Sequence, residues 1–200
     1  MERFNLTIDA LRKHIDDLKW DDEFQILYDR AATGNIEDVF NLFIINYLDH
    51  DCTLRGMDLY LLSYCTLNNH KLAKELIRSE EKKFSKDDEY EILSYYRDRA
   101  SNNGLLLWIL GLCYESFDFD YNTYISLNDY DNATGHKNFV KAFESYKKSA
   151  DLGFPLGVLY AYWYCLDPES YCISYIKDAE KLKEKYGDVL KQCGIRWPFE

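Results

Sequence analysis

A chain of 200 residues with a hydrophobic fraction of 47% can bury a sizeable core, which excludes global disorder. A net charge of −11 excludes nucleic-acid binding as a main role, because that role neutralises phosphates with Lys and Arg, and it disfavours anionic membrane surfaces. Only 3 prolines and 9 glycines punctuate the chain, too few for an all-β protein and normal for helices joined by short turns.

The first predicted helix carries Phe4, Ile8, Leu11, Ile15 and Leu18 as one apolar stripe, opposite Arg12, Lys13, Asp16 and Asp17. A second starts after Asp21-Asp22, acids suited to the positive end of a helix dipole. It runs through Phe24, Leu27, Tyr28 and Ala31 and ends at Gly34, because glycine enters the left-handed C-terminal position without steric cost. Asn35 caps the next helix, 36–48, with Val39, Leu42, Phe43 and Tyr47 inward. A polar connection over 49–56 leads to helices at 57–67 and 71–79. Ser85 with Asp88 resembles a capping box opening a helix through Tyr90, Leu93, Tyr96 and Ala100, which Gly104 closes. The apolar run 105–114 is too short to span a bilayer and belongs to a core. Over 116–136 no helical period survives, and loops of this length in compact domains carry function or move. Helices resume at 136–152, with Phe139, Phe143, Tyr146 and Ala150 on one face. Further starts fall at Phe154-Pro155 and Asp167-Pro168, and the last helix carries Cys172, Tyr175, Ile176, Ala179, Leu182 and Tyr186.

Alanine, a short gap and glycine recur at Ala31–Gly34, Ala100–Gly104 and Ala150–Gly153, and Asn69 lies midway between Gly34 and Gly104. A period in the mid-thirties marks stacked helix hairpins. The expected fold is all-α, an α-solenoid of stacked antiparallel helix hairpins forming one continuous domain over 1–200. Ala100-x3-Gly104-x3-Trp108-x-Leu110-Gly111-x2-Tyr114 and Lys141-Ala142-Phe143-x2-Tyr146-Lys147-Lys148-Ser149-Ala150-x2-Gly153 resemble the two halves of a Sel-one-like repeat, a relative of the tetratricopeptide repeat, over about 96–165. The chain departs from that pattern in the acidic, aromatic insert 116–136 and in Trp108 and Gly157, which stand where alanine is usual. Leu27-Tyr28-x2-Ala31-Ala32-x-Gly34-Asn35 and Asn69-His70-Lys71-Leu72-Ala73 are also similar to a degenerate ankyrin repeat. The resemblance implies an adaptor whose concave face holds another protein, and it carries over no catalytic residue.

Tyr160, Tyr162, Trp163 and Tyr164 crowd one helical turn. Successive helical positions point about 100° apart, so the four cannot all face one core. Exposed Tyr and Trp anchor bound peptides. These four, with Trp108 and the insert acids Asp118 and Asp120, form the expected partner site. A C-terminal cap packing them against Tyr171, Tyr175 and Trp197 is the other reading. The expected partner is a basic or neutral protein or peptide, although the acidity also serves solubility alone. A self-assembling subunit docking through Trp197-Pro198-Phe199 is an alternative role.

Asp118, Asp120, Asn122, Tyr124, Ser126 and Asp129 fall at the oxygen positions of a calcium loop. Thr123 replaces its turn glycine and Asp129 its bidentate Glu, which favours a solvated acidic loop. His14, His50, His70 and His136 have no zinc spacing, and His50-Asp51-Cys52 is adjacency in a turn, not a dyad. With no phosphate loop or nucleophile elbow, neither an enzyme nor a cofactor is expected. The N-terminus has no apolar signal core, so the 6 cysteines are expected reduced and the chain cytoplasmic. Cys65, Cys113, Cys165 and Cys172 lie in apolar stretches, as small buried hydrophobes do. The abundance of Asn, Asp, Ile, Lys and Tyr is typical of AT-rich coding, as in some protist parasites and large DNA viruses.

Overall fold

A computed structural model of the chain describes residues 7–18, 24–50, 52–77, 83–117, 139–166 and 179–192. Among the described residues every regular element is helical. The helices are α1 (Ile8–Leu18), α2 (Gln25–Ala32), α3 (Ile36–Asp49), α4 (Gly56–Leu67), α5 (Lys71–Leu76), α6 (Lys86–Arg99), α7 (Gly104–Ser116), α8 (Phe139–Asp151), α9 (Pro155–Leu166) and α10 (Ala179–Gln192). The all-α expectation is met, and none of these helices is long and apolar enough to cross a membrane. The chain divides into two compact units, Met1–Glu91 and Ile92–Glu200, with the division inside α6.

In the first unit each of α1 to α5 packs on its sequence neighbour, except that α1 also meets α4. Leu11 and Ile15 of the predicted stripe are fully buried. Gly34 takes the left-handed conformation at φ +83°, which is why the turn requires glycine, and a Cβ there would also push on the end of the Ile8 side chain, 2.5 Å away. Asn35 Oδ1 accepts the Asp38 amide at 3.1 Å, the expected cap. Asn69 closes the segment after α4 at φ +71°, so the second register mark is conformational as well as numerical.

Periodicity describes α3 only in part. The four residues expected inward are buried, but so is every residue from Val39 to Leu48, Asn41 and Asn46 included. A helix held between α2 and α4 has no solvent face to pattern. The Ser85–Asp88 box forms reciprocally: Asp88 N–H donates to Ser85 Oγ at 3.2 Å and Ser85 N–H to Asp88 Oδ2 at 3.0 Å. Tyr90 does not join the stripe that follows and is 52% exposed. The buried face of α6 contains Ile92, and a residue two positions earlier lies about 200° away around the helix.

In the second unit α7, α8, α9 and α10 pack in sequence, and α7 also touches α9 across α8. Gly104 does not close α6, as the register suggested. That helix ends in a 3-10 turn over Ala100–Asn102, Asn103 Oδ1 accepts the Leu106 amide at 3.2 Å, and Gly104 is the first residue of α7. Glycine is needed there because a Cβ would lie 2.6 Å from Phe154 Cβ. The same holds at Gly111, where a Cβ would strike the Tyr146 ring at 2.3 Å.

Gly157 is the tightest crossing. A Cβ there would meet Ser149 Oγ at 2.2 Å and the Ala150 backbone nitrogen at 2.9 Å, and Ser149 Oγ already donates to Gly104 O at 2.6 Å. Gly157→Ala is therefore expected to destabilise by about 1–3 kcal/mol, through overpacking against backbone that cannot step aside. Urea unfolding checks this. An unchanged midpoint would mean that α8 and α9 are free to separate.

Candidate functional site

The second unit contains an aromatic cluster with one partly open side. Tyr160 of α9 meets three rings: Trp108 edge-on at 5.6 Å, Tyr146 at 5.1 Å and Trp163 at 4.9 Å between centroids. Trp108 and Tyr146 are fully buried, whereas Tyr160 and Trp163 are half-buried. One turn of helix separates those two residues, so they share a face of α9.

Tyr146 ties this cluster to a carboxylate. Its hydroxyl donates to Glu115 Oε2 at 2.6 Å. Burial, and then the charge of Glu115, push the Tyr146 phenol well above its ordinary range. It therefore stays a proton donor at every physiological pH and holds the half-buried Glu115 at the C-terminal end of α7. Nearby, Lys141 Nζ lies 5.6 Å from the Tyr114 ring centroid, so this unit already seats an ammonium over a tyrosine face.

Of the aromatic residues expected at a partner site, Tyr160, Tyr162 and Trp163 remain partly exposed. Tyr162 leans on α10, where a Cβ on Gly187 would come within 3.1 Å of its ring. Trp108 and Tyr164 are not available to a partner. Trp108 is wedged between α7 and the start of α9, against Phe154 at 6.1 Å and Tyr160. Tyr164 stacks on Phe143 at 5.9 Å and meets Tyr146 edge-on at 5.5 Å. Both are core residues, because their positions on α7 and α9 face the neighbouring helices. The insert residues Asp118, Asp120, Asn122, Tyr124, Ser126 and Asp129 lie outside the described residues. Among the described residues, no group of three or more His, Cys, Asp or Glu is placed to hold a metal ion.

The first unit holds two buried polar arrangements that the sequence did not announce. Asp58 in the first turn of α4 is fully buried. It accepts the Arg55 amide at 2.7 Å and a hydrogen bond from Asn46 Nδ2 of α3, while His50 Nδ1 stands 3.7 Å away. Burial pushes the Asp58 carboxyl above its ordinary range, against the lowering effect of these donors. The second is His70, which caps α5 in place of the usual Ser, Thr, Asp or Asn: its Nδ1 accepts the Ala73 amide at 3.2 Å. Its ring stacks on Phe40 at 4.0 Å, and its Nε2 lies 3.6 Å from Glu37.

Cys52, Cys65, Cys113 and Cys165 are buried, reduced thiols. Burial pushes the Cys165 thiol up to about 11 and the Cys65 thiol higher still, which suits packing and not nucleophilic chemistry. Compared with protein-family models, with curated proteins and with solved structures, the chain matches none.

Proposed function

We propose that this chain is a non-catalytic binding module of the Sel-one-like kind, a cytoplasmic adaptor built from stacked helix hairpins that holds a basic segment of another protein. The observation that carries this reading is the Tyr160–Trp163 face, kept partly open over a buried aromatic floor whose Tyr146 holds Glu115. Rigid aromatic faces give contact area at little entropic cost and attract the cations of Lys and Arg. The carboxylate held by the Tyr146 hydroxyl supplies the charge partner, and the net charge of −11 draws basic chains towards it. Contact of α7 with α9 across α8 is the packing that stacked hairpins use, and it supports the repeat reading.

The test is affinity purification from the native host with mass spectrometry, followed by titration of the recovered partner against wild type and Tyr160→Ala/Trp163→Ala. Tyr164 is left in place because it belongs to the core. Removing two aromatic anchors is expected to weaken binding by ~30-fold or more, with the helical circular dichroism signal unchanged. A partner bound equally well by the folded double variant would remove this face from the mechanism.

A further inference from the structure

We propose that Asn103-Gly104 is a self-modification site gated by the start of α7, independent of the binding face: when the cap opens, Asn103 deamidates through a cyclic imide. This is the one Asn-Gly step in the chain. The Gly104 nitrogen attacks Asn103 Cγ, and the N–Cγ bond it forms closes a five-membered ring. The Cγ–Nδ2 bond breaks and ammonia leaves, carrying the Gly104 amide proton. Water then opens either imide carbonyl and leaves an aspartyl or an isoaspartyl residue at position 103. Glycine after asparagine favours the attack, because no Cβ crowds the nucleophilic nitrogen. The fold cannot dispense with that glycine, since a Cβ on Gly104 would lie 2.6 Å from Phe154 Cβ.

The folded cap holds the two reacting atoms apart. Asn103 sits at φ −130° and ψ 110°, an extended conformation that turns the Gly104 nitrogen away from the Asn103 side chain. Its Oδ1 is committed to the Leu106 amide at 3.2 Å, and its own N–H donates to Ala100 O at 3.1 Å. Gly104 is held from the other side, where its carbonyl accepts Ser149 Oγ at 2.6 Å. Bringing the nitrogen onto Cγ requires ψ of Asn103 to turn, which the first turn of α7 resists until these bonds release. Asn103 is exposed, so water reaches it as soon as they do. The two products differ in consequence. An aspartyl side chain caps a helix as well as Asn does. An isoaspartyl linkage routes the main chain through Cβ and Cγ. That takes the acceptor off the Leu106 amide and displaces Gly104 from its seat against Phe154.

The experiment incubates the full chain in mildly alkaline buffer, native and in urea, and follows position 103 by peptide mapping with mass spectrometry. Modification is expected in both, slower in the native chain by about 10-fold or more, matching the factor by which folding slows hydrogen exchange at the Leu106 amide. In heavy-oxygen water the imide route leaves one heavy oxygen in each product. Gly104→Ala, read in urea so that folding is not required, is expected to slow the reaction. Asn103→Ser keeps a capping hydroxyl without an amide and is expected to abolish it. The separated isoaspartyl form is expected to lose Leu106 protection by about 5-fold or more, the worth of a cap. Equal rates in native and unfolded chains would overturn the gate. A position 103 left unmodified in urea would overturn the site, and full Leu106 protection in the isoaspartyl form would overturn its consequence.

Discussion

Trp108→Ala is expected to cost about 3–5 kcal/mol, the range for truncating a fully buried large aromatic. The indole fills the space between α7 and the start of α9, touching Phe154 and Tyr160. The glycine contacts at Gly104, Gly111 and Gly157 already hold the backbones of the second unit at their closest separation, which leaves little room for collapse into the void. Against a typical total of about 5–15 kcal/mol, such a loss leaves a marginal fold. Guanidinium unfolding gives the number directly. A cost near 1 kcal/mol would mean that Tyr160 and Phe154 close over the gap. Trp163→Ala, one face removed and half-buried, is the control, with a much smaller loss of stability.

Asp58→Ala is the second large effect, at about 3 kcal/mol. It strands one buried donor, Asn46 Nδ2, at about 1–3 kcal/mol when left unpaired, and one part-buried donor, the Arg55 amide, at the lower end of that range, and it removes a first-turn carboxylate from α4. The pH dependence has a definite sign. Burial raises the Asp58 carboxyl above its unfolded value, so between the two values the folded chain binds more proton than the unfolded chain. The contribution of Asp58 is thus largest in acid and is partly lost as pH rises through the raised value. The penalty of the substitution is expected to be greater near pH 4 than at pH 7. The opposite trend, measured as the difference between two unfolding midpoints, would show that Asn46 and Arg55 outweigh desolvation.

What the sequence disclosed follows the range of the interaction. The Asn35 cap, the Ser85–Asp88 box and the left-handed positions at Gly34 and Asn69 are settled within four residues of chain, so the residue types state them outright. Gly104 shows where that reasoning stops: its glycine answers to Phe154, fifty positions away, and not to a turn. The burial of α3 on every side, the pairing of Asn46 with Asp58 and the loss of Trp108 and Tyr164 to the core all come from helices meeting. Periodicity cannot report such contacts. Tyr160, Tyr162 and Trp163 were legible as a crowded turn with too many rings for one core. Glu115 was not, because its contact with Tyr146 comes from two helices meeting, 31 positions apart.

The three glycine contacts also bear on how this chain can change over generations. In the second unit the distances between helices are set by main chain lying directly against Phe154, Tyr146 and Ser149, not by side chains that reach outward. Residues facing solvent on α7 and α9 therefore do not set that spacing. Mutation can rewrite the solvent-facing positions one by one while the frame stays under purifying selection. Two descendants of one such ancestor would keep their glycines and share little else that an alignment could detect.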